Sequence, residues 1–139
     1  MFRKCLVVVA LCLLMPAAAR AQEVPDLTGT WVMEENQAVI AGSGGQHNPQ
    51  SESGIHYSTM TFTLEIAEQN GRVFHGSKIS DAYTETIVGG VAYDGESLWF
   101  AEEEGIMQGR LVSPTVMELI YVHETDETDI VGVGRYVKQ

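Results

Sequence analysis

Residues 56–79 read His56-Tyr57-Ser58-Thr59-Met60-Thr61-Phe62-Thr63-Leu64-Glu65-Ile66-Ala67-Glu68-Gln69-Asn70-Gly71-Arg72-Val73-Phe74-His75-Gly76-Ser77-Lys78-Ile79. Met60, Phe62, Leu64 and Ile66 alternate with Thr61, Thr63 and Glu65, the period of two that marks a half-buried β-strand running from His56 to Ala67. The strand runs into Asn70-Gly71, a dipeptide whose tolerance of positive φ makes it the strongest short hairpin signal. A second strand from Arg72 to Ile79 follows.

The same grammar continues toward the C-terminus. Strands are expected over Thr84–Tyr93, Ser97–Glu102, Ile106–Val112, Thr115–His123 and Asp129–Val137, separated by Asp94-Gly95, Glu104-Gly105, Ser113-Pro114 and the polar Thr125–Glu127. Short strands with a turn signal every ten to twelve residues belong to a sandwich or barrel. Upstream, a first strand spans Thr28–Glu34. The total is eight, and eight sequential strands joined mostly by tight turns favour an all-β, eight-stranded antiparallel up-and-down barrel, because closure removes exposed edges. The stretch from Asn36 to Gly54 (residues 36–54) is rich in glycine and serine, contains Asn48-Pro49 and has no sustained apolar period. It reads as a long loop, and loops of that length are either disordered or functional, as lids or binding segments.

The N-terminus sets the compartment. Arg3 and Lys4 precede an apolar run from Cys5 to Met15, Pro16 ends it, and Ala19-Arg20-Ala21 matches the pattern that signal peptidase reads. The apolar run is well short of the roughly twenty residues that span a bilayer. Residues 1–21 are therefore expected to be a cleaved signal peptide, and residues 22–139 a single periplasmic or secreted domain. Cys5 and Cys12 leave with the signal, so the mature domain has no disulfide, thiol nucleophile or thiolate ligand. Arg3, Lys4 and Arg20 leave too, taking the basic residues from eight to five against nineteen acids, a net charge of −14 over 118 residues. Such a surface repels nucleic acid and anionic lipid. The expected partner is a small molecule, without nucleic acid or stable membrane insertion and with homo-oligomerisation left open.

Leu27-Thr28-Gly29-Thr30-Trp31 resembles the Gly-x-Trp opening of the calycin barrels, the group that includes lipocalins and avidins. The resemblance implies a barrel that holds small ligands inside. It assigns structural roles to Gly29 and to Trp31, which would close one end, and to a basic residue of the last strand, here Arg135, which would pack over the tryptophan. The biotin-binding residues of avidins have no counterpart aligned here.

For chemistry, a two-residue Asn70-Gly71 turn would place Ile66 opposite His75, Leu64 opposite Ser77 and Phe62 opposite Ile79. If Phe62 and Leu64 face inward, so do His75, Ser77, His56 and Ser58, unless a bulge reverses the face. Tyr57, Trp99 and Tyr121 are the aromatics expected to line the apolar part of a cavity. No close histidine pair signals a metal site. The run from Glu124 to Asp129 lacks the glycine and terminal glutamate of a calcium loop. No nucleophile elbow and no cofactor motif is present. Recognition at His56, Tyr57, His75, Ser77, Trp99 and Tyr121 is therefore the expected function. The alternatives are an isomerase, cyclase or hydrolase using His75 or Glu118 in the same cavity, and a protein-binding module or inhibitor of the cell envelope.

Overall fold

A computed structural model describes residues 23–43 and 54–139; the expected signal peptide over residues 1–21, Gln22 and residues 44–53 of the expected loop lie outside them. The described chain holds strands β1 (Gly29–Gly42), β2 (Ile55–Ser58), β3 (Thr63–Asn70), β4 (Val73–Ile79), β5 (Thr84–Val91), β6 (Ser97–Ala101), β7 (Ile106–Ser113), β8 (Val116–Glu124) and β9 (Thr128–Lys138). Strands β1 and β3 to β9 pair antiparallel in order, and β1 pairs with β9 to close the ring. The protein is thus a closed eight-stranded antiparallel barrel, as the turn spacing predicts, with β2 as a short additional strand on β1.

Two boundaries differ from the sequence expectation. Residues 36–42 continue β1 instead of opening the loop. A bulge between Met33 and Glu35 inserts one residue, so Met33 faces inward, Glu34 and Glu35 are both exposed, and the inward phase resumes at Asn36, Ala38 and Ile40. Two adjacent glutamates hide a strand that in fact resumes immediately. The expected single strand from His56 to Ala67 is also broken: β2 pairs with residues 38–41 and β3 with residues 29–32, both along one edge of β1. At the break, Met33 N–H donates to the Phe62 carbonyl at 3.0 Å and Asn36 Oδ1 accepts from Met60 N–H at 2.7 Å.

The core is dense near Trp31, which is fully buried among Leu27, Leu64, Ile66, Leu98 and Met117. Its indole Nε1–H donates to the Leu27 carbonyl at 2.8 Å. Gln69 fixes the incoming chain by accepting from Leu27 N–H and donating to the Pro25 carbonyl, each at 2.8 Å. The cation over the indole is Lys138, 5.5 Å from the ring and in register with Trp31. Arg135, expected there, faces outward and bonds Glu118 at 2.7 Å. The reason is parity: Tyr136 is the buried neighbour, so Arg135 must lie on the other face.

Outside, an in-register apolar row runs Val88–Ala101–Ile106–Val122–Val131–Val39 across β5, β6, β7, β8, β9 and β1. Ile120 and Val133 pair one step below it. These strands are therefore apolar on both faces over much of their length.

Candidate functional site

Register carries the inner face from strand to strand. His56 pairs with Ile40, Ile40 with Ile130 and Ile130 with His123, which places two histidines and two isoleucines in one inward row. The next row is Ser58, Ala38, Gly132 and Tyr121. Below it the wall narrows through Asn36, Gly134 and Leu119 toward Met33 and Tyr136. These rows enclose an interior cavity of about 70 Å³, lined mainly by Met33, Ile40, Met60, Phe62, Met107 and Leu119. Its polar wall is Lys78, Tyr121 and Glu104, with Asn36, Gln37 and Ser58.

Lys78 is the centre of a buried charge cluster. It shares its inward parity on β4 with Phe74 and Gly76, and stands opposite Glu85 of β5, itself on the inward parity of Ile87. Its Nζ lies 2.6 Å from Glu102 Oε1 and 3.5 Å from Glu85 Oε1, all three side chains being almost wholly removed from solvent. The ammonium also sits 4.4 Å from the Tyr121 ring centroid and 4.8 Å from that of Phe62. Glu85 Oε2 accepts from Glu103 N–H at 3.0 Å, which fixes the loop after β6.

Burial pushes the Glu102 carboxyl above the ordinary carboxylate range, against the pull of Lys78. Burial, followed by the charges of Glu102 and Glu104, raises the Tyr121 hydroxyl, so it stays protonated. Glu102 Oε2, His123 Nδ1 and His56 Nε2 are buried without a hydrogen-bond partner. Desolvating several charges is costly even when they pair, and unpaired buried polar atoms add to that cost. A polar cluster held at such expense against an apolar cavity makes this the candidate functional site.

The residues anticipated from sequence fall on both sides of the wall. His56 and Ser58 face inward, and Tyr121 lines the cavity. His75 and Ser77 do not face it. Of Asn70 and Gly71, only the glycine takes positive φ (60°), and Asn70 pairs with Val73, so the two-residue loop is Gly71-Arg72. A bulge at Ala67 then shifts the register by one, putting Gly76 opposite Ile66 and Lys78 opposite Leu64. His75 is exposed, 3.5 Å from Glu68, and shares a shallow external depression with Trp99. Tyr57, opposite Val39, is 86% exposed. Glu118 is also outside, where hydrogen bonds from Arg135 and Arg110 hold its carboxyl below the ordinary range. His75→Ala should therefore change the unfolding free energy by no more than about 0.5 kcal/mol, as urea denaturation would show.

Lys78 and Glu85 escaped the sequence reading, and Glu102, which in sequence reads with Glu103 and Glu104 as surface charge leading into a turn, has a buried side chain. The available signal was a charge on the apolar parity of a strand: Lys78 with Phe74, and Glu85 with Ile87.

Fold and site together define a closed antiparallel β-barrel with an apolar cavity ending on a buried charge cluster. No protein-family model and no curated protein matches the chain. Among solved structures, a redesigned β-barrel is similar, with 14% identity, a TM-score of 0.46, and coverage of 81% of this chain and 91% of that one.

Proposed function

We propose that the mature chain is an exported, calycin-like barrel that holds a small, partly apolar molecule in its interior, with the polar end of that molecule at Lys78, Glu102 and Tyr121. The observation that carries the reading is the juxtaposition of an apolar cavity with a desolvated cluster whose polar atoms are incompletely bonded. Ligand sites have this form: apolar walls give affinity and a few fixed polar groups give orientation. A second reading, acid–base catalysis in the same cavity, draws on Glu102, whose raised pKa and proximity to Tyr121 suit proton transfer.

Native and denaturing mass spectra of protein purified from the envelope fraction of its own host test the proposal. A mass excess that vanishes on denaturation is expected, on a chain beginning at Gln22; an intact N-terminus would overturn export, and an empty barrel would shift the weight to the protein-binding module. If the bound species is converted while the protein turns over, the catalytic reading replaces the binding one.

Gly132 supplies the matching variant. A Cβ there would meet Ala38 Cβ at 3.7 Å and Tyr121 Cβ at 3.8 Å, ordinary contacts, so the backbone accepts a side chain that must project into the cavity. Gly132→Val is expected to keep the fold while weakening ligand binding at least tenfold, about 1.4 kcal/mol. Unchanged binding would move the ligand elsewhere.

A further inference from the structure

The polar wall also constrains the chemistry of the ligand. An interior lysine suggests at first a seat for a carboxylate, as in a carrier of fatty or other organic acids. Here, however, the Lys78 charge is already met by two carboxylates, Glu102 at 2.6 Å and Glu85 at 3.5 Å. Its ammonium is further enclosed by the rings of Tyr121 and Phe62. Of the carboxylates, Glu104 lines the cavity itself, while Glu85 and Glu102 are held against Lys78, the cationic side chain among the described lining residues. Lys78 with Glu85 and Glu102 carries a net charge of −1 when all three are ionised, and Glu104 makes the wall more negative. An incoming anion would have to displace a carboxylate from Lys78 and leave it buried without a counter-charge.

The atoms still available for bonding point the same way. Glu102 Oε2 is a fully buried acceptor beside the Tyr121 hydroxyl, with capacity left for a further donor. A second, independent position lies one inward row from Tyr121: His123 is 5% exposed and its Nδ1 is unpartnered, with its ring centroid 6.4 Å from that of Tyr121. A neutral imidazole has one donor and one acceptor nitrogen, so a donor head can be met there. Met33, Met60 and Met107 complete the cavity with polarizable, adaptable surface.

We infer that the cavity selects a small apolar molecule bearing a hydrogen-bond-donating head, cationic amine or neutral hydroxyl, and rejects the corresponding carboxylate. The inference rests on the ligand-binding reading above and assigns it a ligand class. Size narrows it: with roughly 10–15 Å³ per water-sized group, a cavity of about 70 Å³ takes about five non-hydrogen atoms, unless more of the ligand projects beyond it.

Three probes with one tail and different heads test this: butylammonium, butan-1-ol and butyrate, titrated at neutral pH into the isotopically labelled mature protein. Amide shifts of residues 36–40 and 130–134 would be followed. Ligands of this size bind with Kd on the order of millimolar, which such titrations measure. The expected order is butylammonium and butanol together, with butyrate weaker by about tenfold or more. Glu104→Gln, at a partly exposed position, should narrow the amine-to-acid ratio by at least about threefold and leave butanol unchanged; Glu102→Gln should do the same if it folds. Butyrate binding as tightly as butylammonium would overturn the ligand class while sustaining the cavity as a binding site. If none of the three moves the inner-face amides, the binding reading itself falls, and the ligand class with it.

Discussion

Lys78→Met is expected to lower the unfolding free energy by about 3–5 kcal/mol, a large part of the 5–15 kcal/mol that stabilises a typical domain. The substitution preserves much of the side-chain volume but leaves Glu102 and Glu85 buried without their ammonium. The double variant Lys78→Met/Glu102→Gln should regain much of the loss, because removing both partners of a buried pair is far less damaging than removing one. Urea denaturation of both proteins measures this, the midpoint moving at constant slope.

The pH dependence of that deficit has a definite sign. Glu102 has its folded-state pKa raised above its ordinary value of 4.5, so between the two values the folded state binds more protons than the unfolded state. Its burial therefore costs nothing below the unfolded pKa, and stability falls as pH rises from there through the folded pKa. Loss of Lys78 removes the main force opposing the shift, which moves the folded pKa higher still and widens the window. The gap between Lys78→Met and the parent should be largest at neutral pH and shrink as the pH approaches 4.5. Comparing variant with parent cancels the opposite behaviour of Asp26 and Glu118, whose lowered pKa values destabilise the fold as pH falls. A gap that is independent of pH would mean that losing Lys78 leaves the folded-state pKa of Glu102 where it stands in the parent.

Gly109→Ala should be nearly as damaging, costing about 3 kcal/mol, at the upper end for overpacking. A Cβ on Gly109 of β7 would collide with the Glu118 carbonyl oxygen of β8, and would lie 2.8 Å from that carbonyl carbon and 2.9 Å from Leu119 Cα. All three are backbone atoms of the neighbouring strand, so no side chain can swing away. The equivalent point between β3 and β4 is Gly76, where a Cβ would collide with the Glu65 carbonyl. Both glycines lie on inward-facing parity and let adjacent strands approach closely as the sheet coils into a ring. Gly132→Ala is the control, with an expected change within about 0.5 kcal/mol. In thermal melts the first should lower Tm by roughly 10 °C and the control should leave it nearly unchanged. A cost for Gly109→Ala below about 1 kcal/mol would contradict the β7–β8 register.

Most of the architecture is written in the turns. Asp94-Gly95 and Ser113-Pro114 separate segments that become β5, β6, β7 and β8, and the alternation of Leu64 and Ile66 with Thr63 and Glu65 gives the inward face of β3 directly. The site is less legible because facing depends on features that period-two reading does not register. One unpaired residue at Ala67 moves His75 from the cavity to the exterior and Lys78 from the exterior to the cavity. The extra residue between Met33 and Glu35 has the same effect on β1. On β8 and β9 the outward residues Ile120, Val122, Val131 and Val133 are as apolar as the inward ones, so alternation carries almost no information there. Tyr121 lines the cavity, whereas Trp99 and Tyr57, equally aromatic, lie outside. Aromatic character says that a side chain prefers to leave water, and only the partner across the strand says on which side it does so.

The joining of β1 to β9 has a kinetic corollary. Trp31 meets Lys138, and Gly42 meets Thr128, so the seam that completes the ring connects segments roughly a hundred residues apart, while the ladders from β3 to β9 join chain neighbours. Local hairpins can zip early, but the seam must wait for the slowest encounter in the chain, which places refolding in the millisecond-to-second regime of highly non-local β topologies. Until then the assembled meander is an open ribbon with two bare edges, one carrying the valines of β9. A chain held at that stage has the features that template intermolecular pairing. Productive refolding should therefore compete with aggregation in a concentration-dependent way, and the yield should be set by how quickly the first strand finds the last.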